Sequence, residues 1–307
     1  MELTIHIGPH KTGTTAIQAA FSQSAAALRR QGVLYPKRHW RQQAHHRLAF
    51  ALKGKEMPGG DTPDLGAELE ALCHTLAEAK GEKVLISSEE FFTCSADAVS
   101  RLHAALNVPV KIVCFLRRPD SFLVSCYNQK IKQPGNGFAA PISKYLKAPR
   151  TIAPEMDYLG AVGTWADVFG DAAMQIEIYE DGPPLARLRQ HLGLNGQPAE
   201  PHQKLNASVP GVVAEIMRHA KAAGLCEGKQ RKLLARARQV YDGYPPFYVS
   251  DEDRRAVNAE MEDDLNRLFA RFGRENPFAP AAYAPKQQTR DYNLTMRDMM
   301  QLLDGYL

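Results

Sequence analysis

The chain has 307 residues, of which 44% are hydrophobic and 23% are charged, and its formal net charge is +4. A chain of this size can bury a large core, and the mild positive charge suits an anionic ligand without demanding nucleic acid, which we do not expect as a partner. No apolar run approaches the ~18 residues of a membrane helix, so the sequence predicts no membrane span.

The five cysteines are spread along the chain and form no C-x-x-C pair. This spacing favours free thiols over a disulfide framework or a metal site. The first residues show no charged segment followed by an apolar one, which a secretion signal would need. We therefore expect a cytoplasmic protein that requires no metal.

The first predicted element is a strand that runs into a glycine-rich turn and then into a helix. Residues 5–15 read Ile-His-Ile-Gly-Pro-His-Lys-Thr-Gly-Thr-Thr. The apolar residues that follow share one face of a predicted helix, and a glycine marks its end. These residues are Ile17, Phe21, Ala25 and Leu28, followed by Gly32. The turn therefore lies at a helix N-terminus.

The composition of this turn indicates a phosphate-binding loop. Backbone N–H groups and the positive end of the helix dipole point at whatever lies over the turn. Gly8 and Gly13 allow the backbone to approach a ligand closely, and Lys11 adds a positive charge. We predict that an anion binds here.

The nearest nucleotide-binding pattern is the Walker A sequence, G-x-x-x-x-G-K-[ST]. The spacing from Gly8 to Gly13 fits, but Thr14 stands where that pattern has its lysine, and the lysine of this loop is Lys11. A nucleoside-triphosphate site also needs an acidic strand end for Mg²⁺, and none stands out. A P-loop small-molecule kinase that uses Mg·ATP is therefore the alternative hypothesis.

The loop resembles the 5′-phosphosulfate-binding loop of sulfotransferases that use 3′-phosphoadenosine 5′-phosphosulfate (PAPS). Residues 11–15, Lys-Thr-Gly-Thr-Thr, match the core of that loop, with His10 between the proline and the lysine. The resemblance is to the soluble, bacterial-type members of this family. It implies transfer of a sulfuryl group from PAPS to a hydroxyl or amine, with adenosine 3′,5′-bisphosphate (PAP) as the product.

A second segment carries the same resemblance. Residues 108–116 form an apolar, β-branched run, followed by Arg117, Pro119 and Ser125 at the spacing that the family uses after one of its strands. The resemblance implies that Arg117 and Ser125 bind the 3′-phosphate of the donor. A guanidinium suits this task because it is permanently charged and offers bidentate hydrogen bonds.

The remaining elements alternate between strands and helices. A helix over residues 64–80 precedes a short strand at 83–90 whose carboxyl end carries two acids, and a strand at 174–179 precedes a helix opened by two prolines. This alternation predicts an α/β fold, a P-loop-like doubly wound sheet, mostly parallel, with helices on both faces and a helical C-terminal region. We expect one domain, residues 1–307, with its α/β core at about 1–200 and the helical part at about 201–307.

The resemblance implies a role for each residue of the loop. Lys11 contacts the bridging oxygen and the developing phosphate charge, and the threonines donate hydrogen bonds to phosphate and sulfate oxygens. No metal is required for this stabilisation. The predicted donor-binding residues are Gly8, His10, Lys11, Thr12, Gly13, Thr14, Thr15, Arg117, Ser125 and Lys204.

The acceptor needs a general base, and the sequence offers three candidates. Glu89 is the first and Glu90 the second; if both stay extended, only one faces the substrate. His45, with its neighbour His46, is the third, because histidine titrates in the useful range. The predicted catalytic residues are thus Lys11, Glu89, Glu90 and His45.

The acceptor itself cannot be read from the sequence, and a saccharide or another small molecule is among the candidates. A basic run over residues 229–238 is either a solvated helix face or a platform for an anionic acceptor. A protein that binds PAP or another nucleotide without catalysis is a further alternative. The sequence leaves the oligomeric state open.

Overall fold

The computed structural model describes residues 1–79, 82–147, 149, 153–194, 208–244, 249–278 and 295. By compactness the chain divides into two units. The first unit comprises Met1–Arg117, Asp157–Leu205 and Asp264–Pro277, and the second comprises Arg118–Met156, Asn206–Asp263 and Phe278–Leu307. The expectation of a single domain stays a prediction.

The first unit contains a five-stranded parallel sheet with the order β2-β3-β1-β4-β5. The strands are β1 (Glu2–His6), β2 (Val33–Leu34), β3 (Lys83–Ser87), β4 (Val110–Leu116) and β5 (Met174–Ile178). Their apolar and β-branched composition suits strands that are covered on both faces. Because β1 lies between β3 and β4, the chain crosses from one side of β1 to the other, which is where ligands bind in such sheets.

The helices of the described residues follow in chain order. They are α1 (Thr14–Gln23), α2 (Ala25–Arg30), α3 (His46–Lys53), α4 (Leu65–Glu78), α5 (Ala96–Ala105), α6 (Pro119–Lys132), α7 (Ile142–Tyr145), α8 (Tyr158–Phe169), α9 (Pro184–His191), α10 (Gly211–Ala222), α11 (Glu227–Val240) and α12 (Asp251–Arg271). Within these described residues, no helix has both the length and the apolar composition needed to cross a membrane.

Helices cover both faces of the sheet, as the sequence predicts. On one face, α1 and α9 pack on β3 and β4 through Ile17, Leu188, Leu85 and Phe115, all of them buried. Helix α8 packs on β4 and β5. The indole nitrogen of Trp165 on α8 donates a hydrogen bond to a backbone oxygen in the turn after β3. These apolar layers hold the strand ends in fixed positions.

Two local predictions are corrected by the structure. The helix expected from Ile17 to Leu28 is interrupted, because Ser24 ends α1 and begins α2. Glu89 and Glu90 are not extended; they begin a turn of 3₁₀ helix, Glu89–Thr93. The N–H group of Glu90 donates a hydrogen bond to the Ser88 hydroxyl. Both carboxylates therefore project from one turn.

The second unit is helical over its described residues. Helix α10 packs against α6 and α11. The ammonium of Lys221 donates hydrogen bonds to the backbone oxygens of Lys130 and Gln133 and to the Asn136 side chain. Three acceptors satisfy the three N–H groups of a lysine, so this buried cation fixes the end of α6.

Candidate active site

The carboxyl ends of β3, β1 and β4 meet at one edge of the sheet. The Ser88 N–H donates to the His6 carbonyl at 3.1 Å, and the Phe115 N–H donates to the Gly8 carbonyl at 3.2 Å. The residues that follow these strands are therefore neighbours. We call residues 8–13 the cradle loop and residues 88–93 the acidic turn.

The cradle loop owes its shape to unusual backbone angles. Gly8 and Gly13 have φ values of +91° and +82°, and Lys11 is a non-glycine residue at +65°. A Cβ atom at Gly8 would lie 2.8 Å from the backbone Cα of Glu89, so only glycine fits where the cradle loop meets the acidic turn. The loop geometry thus requires the glycine that the sequence pattern singled out.

The side chain of Thr12 makes a hydrogen bond within the cradle loop. Its hydroxyl donates a hydrogen bond of 2.7 Å to the Pro9 carbonyl, and the residue is fully buried. The sequence analysis predicted that this hydroxyl donates to a phosphate or sulfate oxygen. The structure corrects that prediction, because the hydroxyl proton is donated to the Pro9 carbonyl. Thr12 closes the loop from within.

Helix α1 begins at the open side of the cradle loop. Gly13 is its N-cap residue and provides no side-chain capping hydrogen bond. The first N–H groups of a helix have no partner within the helix and carry the positive end of its dipole. The Thr14 side chain is buried, whereas that of Thr15 is exposed. Backbone groups and Thr15 are therefore the donors that this helix end offers to an anion.

Arg117 lies against the cradle loop. Its Nη1 donates to the Lys11 carbonyl at 3.0 Å, and its guanidinium stacks 4.7 Å from the centre of the Tyr179 ring. Tyr158 donates a hydrogen bond to the Arg117 carbonyl at 2.9 Å, which fixes the backbone here. Among the described residues, no acceptor lies within hydrogen-bond distance of the buried Nε of Arg117. A bound anion would satisfy this donor.

Nothing in the described structure tests the two remaining predicted donor contacts. Ser125 is half-buried on α6 and belongs to the second unit. Lys204 lies outside the described residues. Both assignments stay predictions.

The acidic turn holds two carboxylates that have different partners. Glu89 Oε2 accepts a hydrogen bond of 2.7 Å from Gln18, and Glu90 Oε2 pairs with the Lys53 ammonium at 2.5 Å. The contact with His10 lowers the pKa of Glu90 to about 2; burial opposes the shift, and Lys53 adds to it. Glu90 is therefore a weak base, which argues against its predicted catalytic role.

His45 is a structural residue, and the structure corrects its assignment as a base. It is fully buried, its Nδ1 accepts a hydrogen bond of 3.1 Å from the Ser87 N–H, and its Nε2 donates at 2.9 Å to the Pro36 carbonyl. Burial lowers the pKa of His45 to about 3. Both ring nitrogens are committed to the backbone, so this ring cannot accept a substrate proton.

Sequence reasoning missed two side chains of this site, Gln18 and Lys53, which hold the two glutamates. His46, which the sequence analysis named beside His45, bonds to the Ser88 hydroxyl at 2.8 Å. Gln18 follows Thr14 by four residues on α1, so helical spacing from the loop could have indicated it. No sequence spacing indicates Lys53, because its position at the site depends on how α3 packs.

Comparisons with known proteins show a shared fold at low sequence identity. No protein-family model matches the sequence. An uncharacterised protein from Archaeoglobus fulgidus is 28% identical over 143 residues, a match that spans 44% of this chain and 37% of that protein. The chain therefore matches little more than a third of that relative's length.

Two solved structures align with most of the chain. A sulfotransferase from Alicyclobacillus acidocaldarius has a TM-score of 0.50 and 16% identity, covering 89% of this chain and 96% of that chain. The mouse sulfotransferase SULT7A1, complexed with PAP, has a TM-score of 0.38 and 9% identity, covering 87% of this chain and 84% of that chain. The predicted fold class is confirmed: the chain has the P-loop-like α/β fold of the Alicyclobacillus sulfotransferase structure.

Proposed function

We propose that this protein is a sulfotransferase that uses PAPS as its donor and a hydroxyl or amine as its acceptor. The observation that carries the proposal is the cradle loop, whose open side faces the start of α1 and whose Lys11 carbonyl holds Arg117. The loop matches the PAPS-binding sequence pattern, and the fold agrees with it. A likeness of fold alone does not determine chemistry, so the site residues carry the argument.

The residues present fit an anionic donor. The first turn of α1 offers backbone N–H groups, and Lys11 adds a cation beside them. The buried Nε of Arg117, for which the described residues provide no acceptor, fits a phosphate oxygen. Lys11 and the helix end would hold the 5′-phosphate, whereas Arg117 and Ser125 are assigned to the 3′-phosphate from the resemblance.

When bound, PAPS supplies an activated sulfuryl group whose leaving group is a phosphate. The chain stabilises the charge that develops on that phosphate through donors that are in place before the reaction. The rigid strand ends also orient the acceptor toward the donor, which lowers the entropic cost of reaction. None of these contributions calls for a metal. A saccharide is among the acceptors that we propose.

Isothermal titration calorimetry tests this proposal. We expect PAP to bind equally well with and without Mg²⁺, and more tightly than Mg·ATP. Arg117→Ala should lower the affinity for PAP by about 10- to 100-fold, because it removes a charge-assisted contact. Arg101→Ala is the matched control, since Arg101 is exposed and pairs only with Asp97 on its own helix among the contacts of the structure.

Three results would reject the proposal. A clear preference for Mg·ATP would support the kinase alternative. Binding of neither nucleotide by the folded protein would exclude a donor site of this kind. PAP binding without any transfer to a broad set of acceptors would support a protein that binds the nucleotide without catalysis.

A further inference from the structure

His10 of the cradle loop lies between the two carboxylates of the acidic turn. Its Nδ1 is 3.7 Å from Glu89 Oε1, and its Nε2 is 3.4 Å from Glu90 Oε1. The His10 side chain is 38% exposed, compared with 13% for Glu89. A substrate entering over the loop can therefore reach this imidazole more easily than the Glu89 carboxylate.

We propose that His10 is the catalytic base of the transfer reaction, and that Glu89 and Glu90 stabilise the imidazolium that forms. This inference rests on the proposed function. In the reaction, a bond forms between the acceptor oxygen and the sulfur of PAPS, and the bond between that sulfur and the bridging oxygen breaks. The electron pair of the broken bond leaves with the 5′-phosphate of PAP. The acceptor proton passes to His10, which then releases it to water.

The surroundings of the other titratable groups favour this assignment. Glu90 is tied to Lys53, and Glu89 accepts a hydrogen bond from Gln18. His45 has both ring nitrogens bonded to the backbone. His46 is bonded to Ser88; burial lowers its pKa, and Glu89 and Glu90 oppose that shift. His10 combines a side chain that is 38% exposed with two ring nitrogens that lie 3.7 and 3.4 Å from carboxylate oxygens.

The distances around His10 suit a group that changes its charge. The two ring nitrogens lie 3.7 and 3.4 Å from carboxylate oxygens of Glu89 and Glu90, so both carboxylates attract an imidazolium at this position. Opposite charges at this range favour the protonated form. The charged or titratable groups near His10 include Glu89 and Glu90 from the acidic turn and His46 from α3, and Lys53 of α3 pairs with Glu90.

Two readouts followed over the same pH range test the proposal. The first is the release of radiolabelled sulfate from PAPS with water as the acceptor. The second is the titration of the His10 ring nitrogens by NMR in the complex with PAP, using ¹⁵N-labelled histidine. We expect sulfate release to rise with pH along the His10 titration. In Glu90→Gln both curves should shift to lower pH by the same amount, because one stabilising carboxylate is lost.

Substitution of His10 separates catalysis from binding. We expect His10→Gln to lower sulfate release by about 100-fold or more, the usual contribution of a general base, while PAP affinity changes by less than about threefold. His10→Asn provides a second variant, and circular dichroism checks that each variant is folded. His74→Gln is the matched control, since His74 is exposed on α4 and contacts Glu78.

Several outcomes would overturn the inference. His10→Gln could retain the rate, or lose PAP affinity in proportion to the rate, which would make His10 a donor contact. The rate curve could also fail to follow the NMR titration. A wild-type protein that binds PAP but releases no sulfate would count against it as well, because a base at this site activates water as it does other hydroxyls. Failure of the wild type to bind PAP would instead reject the proposed function, and the inference with it.

Discussion

The cradle loop and the acidic turn are adjacent at one sheet edge, yet they are built in different ways. The cradle loop presents backbone groups, with Gly8, Lys11 and Gly13 in left-handed conformations and Thr12 folded inward. The acidic turn presents charged side chains, each held by a partner from another element. Fixed backbone donors suit an anion that keeps its charge. Ionisable side chains that are held in pairs suit the transfer of a proton.

The difference follows from the cost of burying charge. A backbone N–H group needs no counter-ion, so the loop can expose its donors to a ligand without a compensating residue. A carboxylate at a partly buried position costs several kcal/mol unless it is paired or hydrogen-bonded, on the order of magnitude expected for buried ions. Gln18, Lys53 and His10 supply that compensation for Glu89 and Glu90.

The largest effect is expected where the two regions touch. Gly8→Ala places a Cβ atom 2.8 Å from the Glu89 backbone at a φ of +91°, and we expect it to lower the free energy of unfolding by about 2–4 kcal/mol. Gly32→Ala is the control, because Gly32 also has a positive φ but a Cβ atom there meets nothing within 4 Å. Gly32→Ala should lower the free energy of unfolding by about 1–2 kcal/mol. Equal losses in urea unfolding would show that the contact between the regions does not matter.

The ion pair of the acidic turn gives the next effect. Lys53→Met leaves the Glu90 carboxylate without its ammonium, and we expect a loss of roughly 1–3 kcal/mol at neutral pH. Since the pKa of Glu90 is about 2 when folded and 4.5 ordinarily, its contribution is present above about pH 4.5 and lost as the pH falls through 2. The variant should therefore lose less stability on acidification than the wild type. Arg101→Met, which breaks an exposed pair, should cost less than about 0.5 kcal/mol.

His45 gives an effect that depends on pH and is absent at neutral pH. Its folded pKa is about 3, below the ordinary 6.5, so the unfolded chain binds a proton that the folded chain excludes between these values. Stability should fall as the pH drops from about 6.5 toward 3, by up to about 1.4 kcal/mol per pH unit for this one group. His45→Gln should make the slope of unfolding free energy against pH shallower. An unchanged slope would contradict the buried neutral state.

The smallest effect separates the two threonine roles in the cradle loop. Thr12→Val leaves the Pro9 carbonyl without its donor, and we expect a loss of about 1 kcal/mol in unfolding free energy. Thr15→Val, at an exposed position, should change stability by less than about 0.5 kcal/mol but weaken PAP binding. If Thr12→Val instead weakened PAP binding without affecting stability, the original assignment of its hydroxyl to a phosphate would stand.

The sequence predicted those elements of the fold and site that depend on local residue patterns. The strand, glycine turn and helix at the start of the chain, and the strand that ends before Arg117, follow from composition and spacing. The partners of Glu89 and Glu90 come from α1 and α3, so no local pattern reveals them. The burial of His45 likewise depends on tertiary packing. For that reason the sequence alone indicated His45 as a candidate base.

The central claim is that the cradle loop holds one phosphate of the donor and Arg117 holds the other. Phosphorus NMR of bound PAP tests this directly, because its 5′- and 3′-phosphates give separate signals. We expect Lys11→Ala to move the 5′ signal and Arg117→Ala to move the 3′ signal, each leaving the other largely unchanged. If both substitutions moved the same signal, or if neither moved any, the two-phosphate account of this site would be wrong.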